Sequence, residues 1–256
     1  MQSGFIEIHH GKLYYELHGQ GLPIVFLHGF TLDHRMWQPQ VEYFYKTNTV
    51  LTLDLRGFGQ SSLPDTDYAH YEDIQVVLDY LNLEKVHFVG LSMGGRIAVD
   101  FALAYPDRVL SLTLLDSSLS GYKSAVDWTI TVENNDLEKA KQDWMAHPVF
   151  NYSLKNSATQ ETLQEILSAY SGWHWLHPKK FELTIPNAKD RLAEIDIPTV
   201  IGVGEYDLEY FHDIAKYMKQ RIRNAKYVKI PKAGHMSNLD HPEFVNKLIN
   251  QISVRS

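Results

Sequence analysis

The chain contains no cysteine. Disulfides, thiol nucleophiles and thiolate metal sites are thereby excluded, while the compartment is left open. No apolar run approaches the roughly 18 residues that a membrane-spanning helix requires. The segment from Met1 to His10 lacks the basic stretch followed by an apolar stretch that marks a secretory signal. These absences make the cytoplasm the default location and a membrane partner unexpected. Positive charge is also scarce: 24 Lys and Arg stand against 31 Asp and Glu, a formal net charge of -7. An acidic chain without a long Lys/Arg cluster offers phosphate backbones little to bind, so nucleic acid is not an expected partner. There is no internal repeat and no low-complexity tract. The composition that remains, 44% apolar and 21% charged, is ordinary for a globular protein. The 256 residues suffice for one sizeable domain, with or without an insertion.

Short apolar runs alternate with helix-length stretches along most of the chain. Phe5 to Ile8 and Lys12 to Leu17 read as two strands around His10-Gly11. Ile24 to Leu27, Val50 to Leu53, the run ending at Leu91, Val109 to Leu115, Thr199 to Val203 and Ala225 to Ile230 have the continuous apolar character of strands covered on both faces. Helical spacing is predicted over Met36 to Tyr45, Tyr71 to Leu81, Met93 to Tyr105, Phe211 to Arg221 and Glu243 to Ile252. Strands and helices in this alternation predict an α/β fold with a mostly parallel sheet, whose sites lie beyond the carboxyl ends of the strands. From Ser117 to Pro186 the character changes. This stretch holds four of the five tryptophans, and helical segments are expected near Leu137 to Met145 and Glu161 to Tyr170. It is too aromatic to stay unpacked. The division expected is therefore a core of residues 1–116 and 187–256 with a helical insertion at 117–186.

The stretch richest in chemistry is Gly90-Leu-Ser-Met-Gly94, between an apolar strand and a helix. In that setting the pattern forms a sharp turn that lifts a serine hydroxyl above the sheet, so Ser92 is the candidate nucleophile. Such a serine needs a base, an orienting acid and donors for the developing oxyanion. Among 13 histidines, His235 lies in a loop just past a strand, downstream of Ser92 and before the last helix, which selects it as base. His241, next to Pro242, suits the start of that helix. Asp207, in Gly204-Glu205-Tyr206-Asp207 directly after a strand, leads as the acid; Asp116 and Glu205 are the alternatives. The oxyanion donors expected are the amides of Met93 and Phe30, and His28 is read as structural.

His28-Gly29-Phe30, Asp54-x-Arg56-Gly57-x-Gly59-x-Ser61, Gly90-x-Ser92-x-Gly94-Gly95, Gly204-x-x-Asp207 and Gly234-His235 occur together and in order. With Met36-Trp37 and the run Gly234 to Glu243, they resemble the α/β-hydrolase superfamily over nearly the whole chain, in particular its small esterases, enol-lactonases, cofactor-free haloperoxidases and C–C hydrolases. The resemblance implies an eight-stranded, mostly parallel sheet with a helical cap inserted after the sixth strand. It also implies a structural role for Arg56. Haloalkane dehalogenases and epoxide hydrolases of this fold carry aspartate where this chain has Ser92, which argues against their chemistries. The activity implied is hydrolysis of small, largely apolar carboxylic esters through an acyl-enzyme, with no cofactor and no metal. The alternatives are lactone opening, C–C cleavage or perhydrolysis by the same residues, and a non-catalytic receptor of the same fold. Trp128, Trp144, Trp173 and Trp175 are candidates to line the substrate pocket. Arg35, Arg96, Lys123, Lys179 and Lys180 are the cations available for a substrate carboxylate. A monomer and a homodimer are both compatible with the sequence. With an unperturbed histidine as base, activity is expected to rise around pH 6.5.

Overall fold

A computed structural model describes residues 1–123, 126–177 and 181–253. Its strands are β1 (Gln2–Ile8), β2 (Gly11–His18), β3 (Pro23–Leu27), β4 (Thr49–Leu53), β5 (Val86–Leu91), β6 (Val109–Leu115), β7 (Thr199–Gly204) and β8 (Ala225–Ile230). Among the described residues they form one eight-stranded sheet in the order β1-β2-β4-β3-β5-β6-β7-β8. β1 and β2 are an antiparallel hairpin and β2 runs antiparallel to β4; every later pairing is parallel. Every residue of β5 and β7 is buried, as are all but one in each of β3, β4 and β6, so these strands are covered on both faces. The chain leaves β3 toward β4 and then returns to the other side of β3 as β5. That reversal opens a crevice above the carboxyl ends of β3 and β5. The parallel register aligns those ends, with Leu27 opposite Gly90, Leu91 opposite Leu115 and Gly204 opposite Ile230.

The helices of the core are α1 (Gln38–Phe44), α2 (His70–Tyr80), α3 (Met93–Ala104), α7 (Glu209–Arg221), α8 (Ser237–Asp240) and α9 (Pro242–Ser253). The single helix expected over Met36 to Tyr45 is instead a 3-10 turn, His34–Trp37, followed by α1. Pro39 explains the break, because its ring has no N–H to donate and fits only the first turn of an α-helix. Pro242 occupies the corresponding place in α9.

Between β6 and β7 the chain makes a long helical excursion containing α4 (Leu137–Met145), α5 (Ser157–Ala169) and α6 (Trp173–Leu176). α5 begins four residues before the expected Glu161, because the Asn156 carboxamide caps it by accepting from the amides of Ala158 and Thr159. Several hydrogen bonds tie the excursion to the core. Tyr68 N–H donates to Phe181 O at 2.9 Å and Leu183 N–H to Tyr68 O at 2.7 Å, a short parallel bridge. Trp144 Nε1–H donates to Thr31 Oγ1 at 2.8 Å. No helix of the described residues is long and apolar enough to cross a membrane.

The loop after β4 carries a buried charge. Arg56 is 1% exposed, and its guanidinium meets both carboxylate oxygens of Asp73 at 2.7 and 2.8 Å. It also donates to the carbonyls of His9 and His10, at 2.7 and 2.9 Å. One side chain thus joins the β1–β2 turn, the β4 loop and α2. Removing a partner from such a pair leaves the other charge buried and uncompensated. Arg56→Met is therefore expected to lower the unfolding free energy by about 3–5 kcal/mol in urea denaturation. A loss below about 1 kcal/mol would show that the network is dispensable.

Candidate active site

Ser92 sits between β5 and α3 with φ 56° and ψ −113°, a conformation that an L-residue adopts only under strain, at a cost of roughly 1–3 kcal/mol. The turn is pinned from outside: Ser92 N–H donates to Leu115 O at 2.9 Å, and Ser92 O accepts from Ser118 N–H at 3.1 Å and Arg96 N–H at 3.2 Å. The strand and helix pass so closely that a β-carbon on Gly94 would strike the Leu27 carbonyl, and one on Gly90 would strike the Gly94 backbone. Met93 is the first residue of α3, so its amide is one of the unpaired donors at a helix start.

The loop after β3 faces this turn. His28 is buried and spends both ring nitrogens on the backbone: Nδ1 meets Gly29 O at 2.8 Å, and Nε2 accepts from Leu55 N–H at 3.0 Å. Burial lowers its pKa, which keeps the ring in the neutral form this pattern needs. The ring is thereby occupied as a loop brace. Thr31, at φ 63°, donates from Oγ1 to Phe30 O at 2.6 Å and accepts from Trp144. Among the described residues the Phe30 and Met93 amides have no hydrogen-bond acceptor.

His235 and Asp207 come together from the loops after β8 and β7. His235 Nδ1 is 2.9 Å from Asp207 Oδ2, and Asp207 Oδ1 accepts from Leu208 N–H at 2.7 Å. The Asp207 carboxyl is fully buried and the His235 side chain is 5% exposed, with the Phe211 ring against the imidazole at 4.2 Å. Burial pushes the His235 pKa down to about 4, although Asp116 and Asp240, where ionised, pull the other way. Glu205 lies apart and accepts from Lys232 N–H. His241 turns away to the Pro231 carbonyl. Asp116, by contrast, is close: its carboxyl, that of Asp207 and the His235 ring place atoms within 4.8 Å of one another. Asp33, His34 and Asp54 form a second close group of metal-ligand types. Their atoms are already engaged, Asp54 with His34 and the Gln60 amide and Asp33 with Arg35.

Ser92, Met93, Phe30 and His235 all line one cavity of about 590 Å³ beneath the excursion. Trp128, Trp144 and Trp173 line it too, with Phe150, Tyr210 and Phe211. Trp175 does not line it: its ring packs edge-on against Tyr170 at 5.0 Å, behind Trp144, so this expected lining residue is a packing residue. Arg96 reaches the wall, but its guanidinium is held by Glu182 at 2.6 Å and Asp100 at 3.5 Å. Arg35 is occupied by Asp33 and Glu165, Lys123 is exposed, and Lys179 and Lys180 lie outside the described residues. Sequence reasoning did not single out Thr31, Glu182 or His174, although each braces or lines the site. Only the distant part of the chain that each one meets gives it meaning, and no local pattern marks it.

Residues 23–242 match the family described as alpha/beta hydrolase fold. The chain is 31% identical over 233 residues to 3-oxoadipate enol-lactonase 1 of Acinetobacter baylyi, covering 86% of this chain and 84% of that one. It is 27% identical to the pimeloyl-[acyl-carrier protein] methyl ester esterase of Legionella pneumophila, covering 94% and 98%. Among solved structures it is similar to a thermophilic esterase from Thermogutta terrifontis, with a TM-score of 0.77, 28% identity and coverage of 98% and 97%. Strand order, the strained serine turn and these matches lead to one assignment: the chain belongs to the α/β-hydrolase superfamily, and its relatives support hydrolase activity.

Proposed function

We propose that this protein is a serine hydrolase that cleaves carboxylic esters of small, largely apolar substrates. The observation that carries the reading is the buried His235–Asp207 contact at 2.9 Å, on the same cavity as Ser92. In this reading His235 Nε2 takes the Ser92 proton as Oγ attacks the ester carbonyl. Asp207 holds Nδ1–H, fixes the tautomer and stabilises the imidazolium. The Phe30 and Met93 amides receive the oxyanion, each worth roughly a hundredfold to a thousandfold in rate. His235 then protonates the leaving alcohol, and a water activated by the same ring releases the acid. Residues 117–186 act as a cap over a core of residues 1–116 and 187–256, and the Trp128, Trp144 and Trp173 rings supply the apolar wall.

The cavity favours neutral substrates. Arg96 is compensated by Glu182 and Asp100, so it offers a substrate carboxylate little net positive charge. A second reading, lactone opening by the same residues, draws on the 31% identity to an enol-lactonase. Ester and lactone differ here only in whether the leaving alkoxide stays tethered.

Turnover of short-chain nitrophenyl esters tests the reading, and Ser92→Ala is expected to reduce kcat/KM by about 10⁴-fold or more. Unchanged turnover in that variant would remove Ser92 from the mechanism. A serine-directed phosphonate should label wild type at Ser92 and leave the variant unlabelled. The base must be neutral to act, and burial lowers the His235 pKa to about 4. Burial and the ionised Asp207 carboxylate act on that pKa in opposite directions, and with burial dominant the acidic limb of kcat/KM should fall below the ordinary histidine value of about 6.5, contrary to the expectation for an unperturbed ring. A limb at or above that value would show that burial does not govern the base. In a panel of acyl lengths, lactones and vinylogous diketones, neutral esters are expected to have the highest kcat/KM. Preference for a lactone would favour the second reading.

A further inference from the structure

The site contains a carboxyl that the proposed mechanism does not use. Asp116 directly follows β6, is 0% exposed and adopts φ 46°. It ties together the two loops that deliver the acid and the base. Its Oδ1 accepts from Gly204 N–H at 2.7 Å, where the Asp207 loop leaves β7, and its Oδ2 lies 2.5 Å from Ser237 Oγ, two residues past His235. One of its oxygens, one of Asp207 and a nitrogen of the His235 ring lie within 4.8 Å of one another.

Two buried carboxylates so close repel each other strongly. Among the described residues no Lys or Arg pairs with either. The groups facing the cluster are His235, Asp240 beyond it, Tyr227 on β8 and the Phe211 ring on α7. Asp240 is itself acidic, engaged with Ser153 and the Gly234 amide. The partners determine which carboxyl holds a proton. With His235 in the Nδ1–H tautomer that the triad reading requires, Asp207 faces two N–H donors, His235 Nδ1 and Leu208 N, with the Asp116 carboxyl beside them. Asp116 faces one N–H and the Ser237 hydroxyl, which both donates and accepts. An O–H on Asp116 therefore has two acceptors, the Ser237 hydroxyl and an ionised Asp207, whereas one on Asp207 has only Asp116. Burial raises the pKa of both carboxyls; the Asp207 charge raises Asp116 further, while the contact with Asp116 lowers Asp207.

Building on the triad reading above, we propose that Asp116 is a positioning residue held as a neutral acid beside Asp207. We further propose that it releases its proton to solvent, and becomes the counter-charge to His235, when Asp207 is neutralised. The pair thus carries one negative charge, on Asp207 in the native protein and on Asp116 in an Asp207→Asn variant.

The test is the pH profile of kcat/KM on a nitrophenyl ester for wild type, Asp116→Asn, Asp207→Asn and the double variant. Asparagine keeps both contacts at 116, its carbonyl accepting from Gly204 and its amide donating to Ser237. Asp116→Asn is expected to move the acidic limb by less than about 0.3 unit, because no charge is lost. Asp207→Asn should retain at least about tenfold more activity than the double variant, the excess being the contribution of ionised Asp116. A downward shift of the limb by about one unit in Asp116→Asn would mean that a carboxylate had been removed, and would overturn the proposal. Equal activity in Asp207→Asn and the double variant would overturn it as well. If Asp207→Asn costs no activity, the triad reading fails and this inference fails with it. Should substitution at 116 prevent folding, the carbon-13 resonance of the Asp116 carboxyl in the wild-type protein decides: protonated at neutral pH supports the proposal, ionised refutes it.

Discussion

The site depends on the chain reversing direction within a single residue at Ser92. A strand and a helix can be joined so tightly only if the linking residue takes a left-handed conformation, here φ 56°, and the flanking backbones pass almost in contact. That geometry excludes a β-carbon at Gly90 and Gly94. It also requires an external anchor, which the Leu115 carbonyl supplies through the Ser92 amide. The strain is local, and the parallel sheet bears it: β5 lies between β3 and β6, so the turn is held from both sides.

The same sheet explains why residues far apart in sequence converge. Parallel strands in register end on one edge, and each loop that leaves this edge delivers one chemical group. β3 contributes the Phe30 amide, β5 Ser92, β6 Asp116, β7 Asp207 and β8 His235. The loops are then braced by side chains that hydrogen-bond from one to the next. His28 spans Gly29 and Leu55, Asp116 spans Gly204 and Ser237, and Thr31 couples the β3 loop to Trp144. The Trp144 contact makes the helical excursion part of the site's support as well as its roof.

Legibility in the sequence followed the range of the interactions. The central strands could be read from their continuous apolar runs, and the helices α2, α3, α4, α7 and α9 from apolar spacing repeated over a few residues. The start of α5 was missed by four residues because Asn156, rather than the apolar spacing, sets it. The helix expected from Met36 was divided because Pro39 fits only the first turn of an α-helix, so α1 starts at Gln38. At the site, local turn chemistry at strand ends singled out Ser92, His235 and Asp207 as candidates, and the structure places His235 against Asp207 and on the cavity that Ser92 lines. Trp175 was misjudged because composition reports that an aromatic is present and says nothing about which way its ring faces.

Alone, then, the sequence determined the α/β alternation, the strained turn at Ser92 and the order in which the serine, acid and base candidates follow one another. These rest on short-range rules: side-chain periodicity, the steric demands of a left-handed residue, and glycine where backbones touch. Only the tertiary structure decided what depends on long-range packing. It separated Asp207 from Glu205 as the carboxyl facing His235, and it brought Asp116 within 4.8 Å of both Asp207 and His235. It paired Arg96 with Glu182, 86 residues away, which changes the charge that the cavity presents. Contacts of that separation leave no periodic trace in the chain, because they depend on how loops from different strands meet above the sheet.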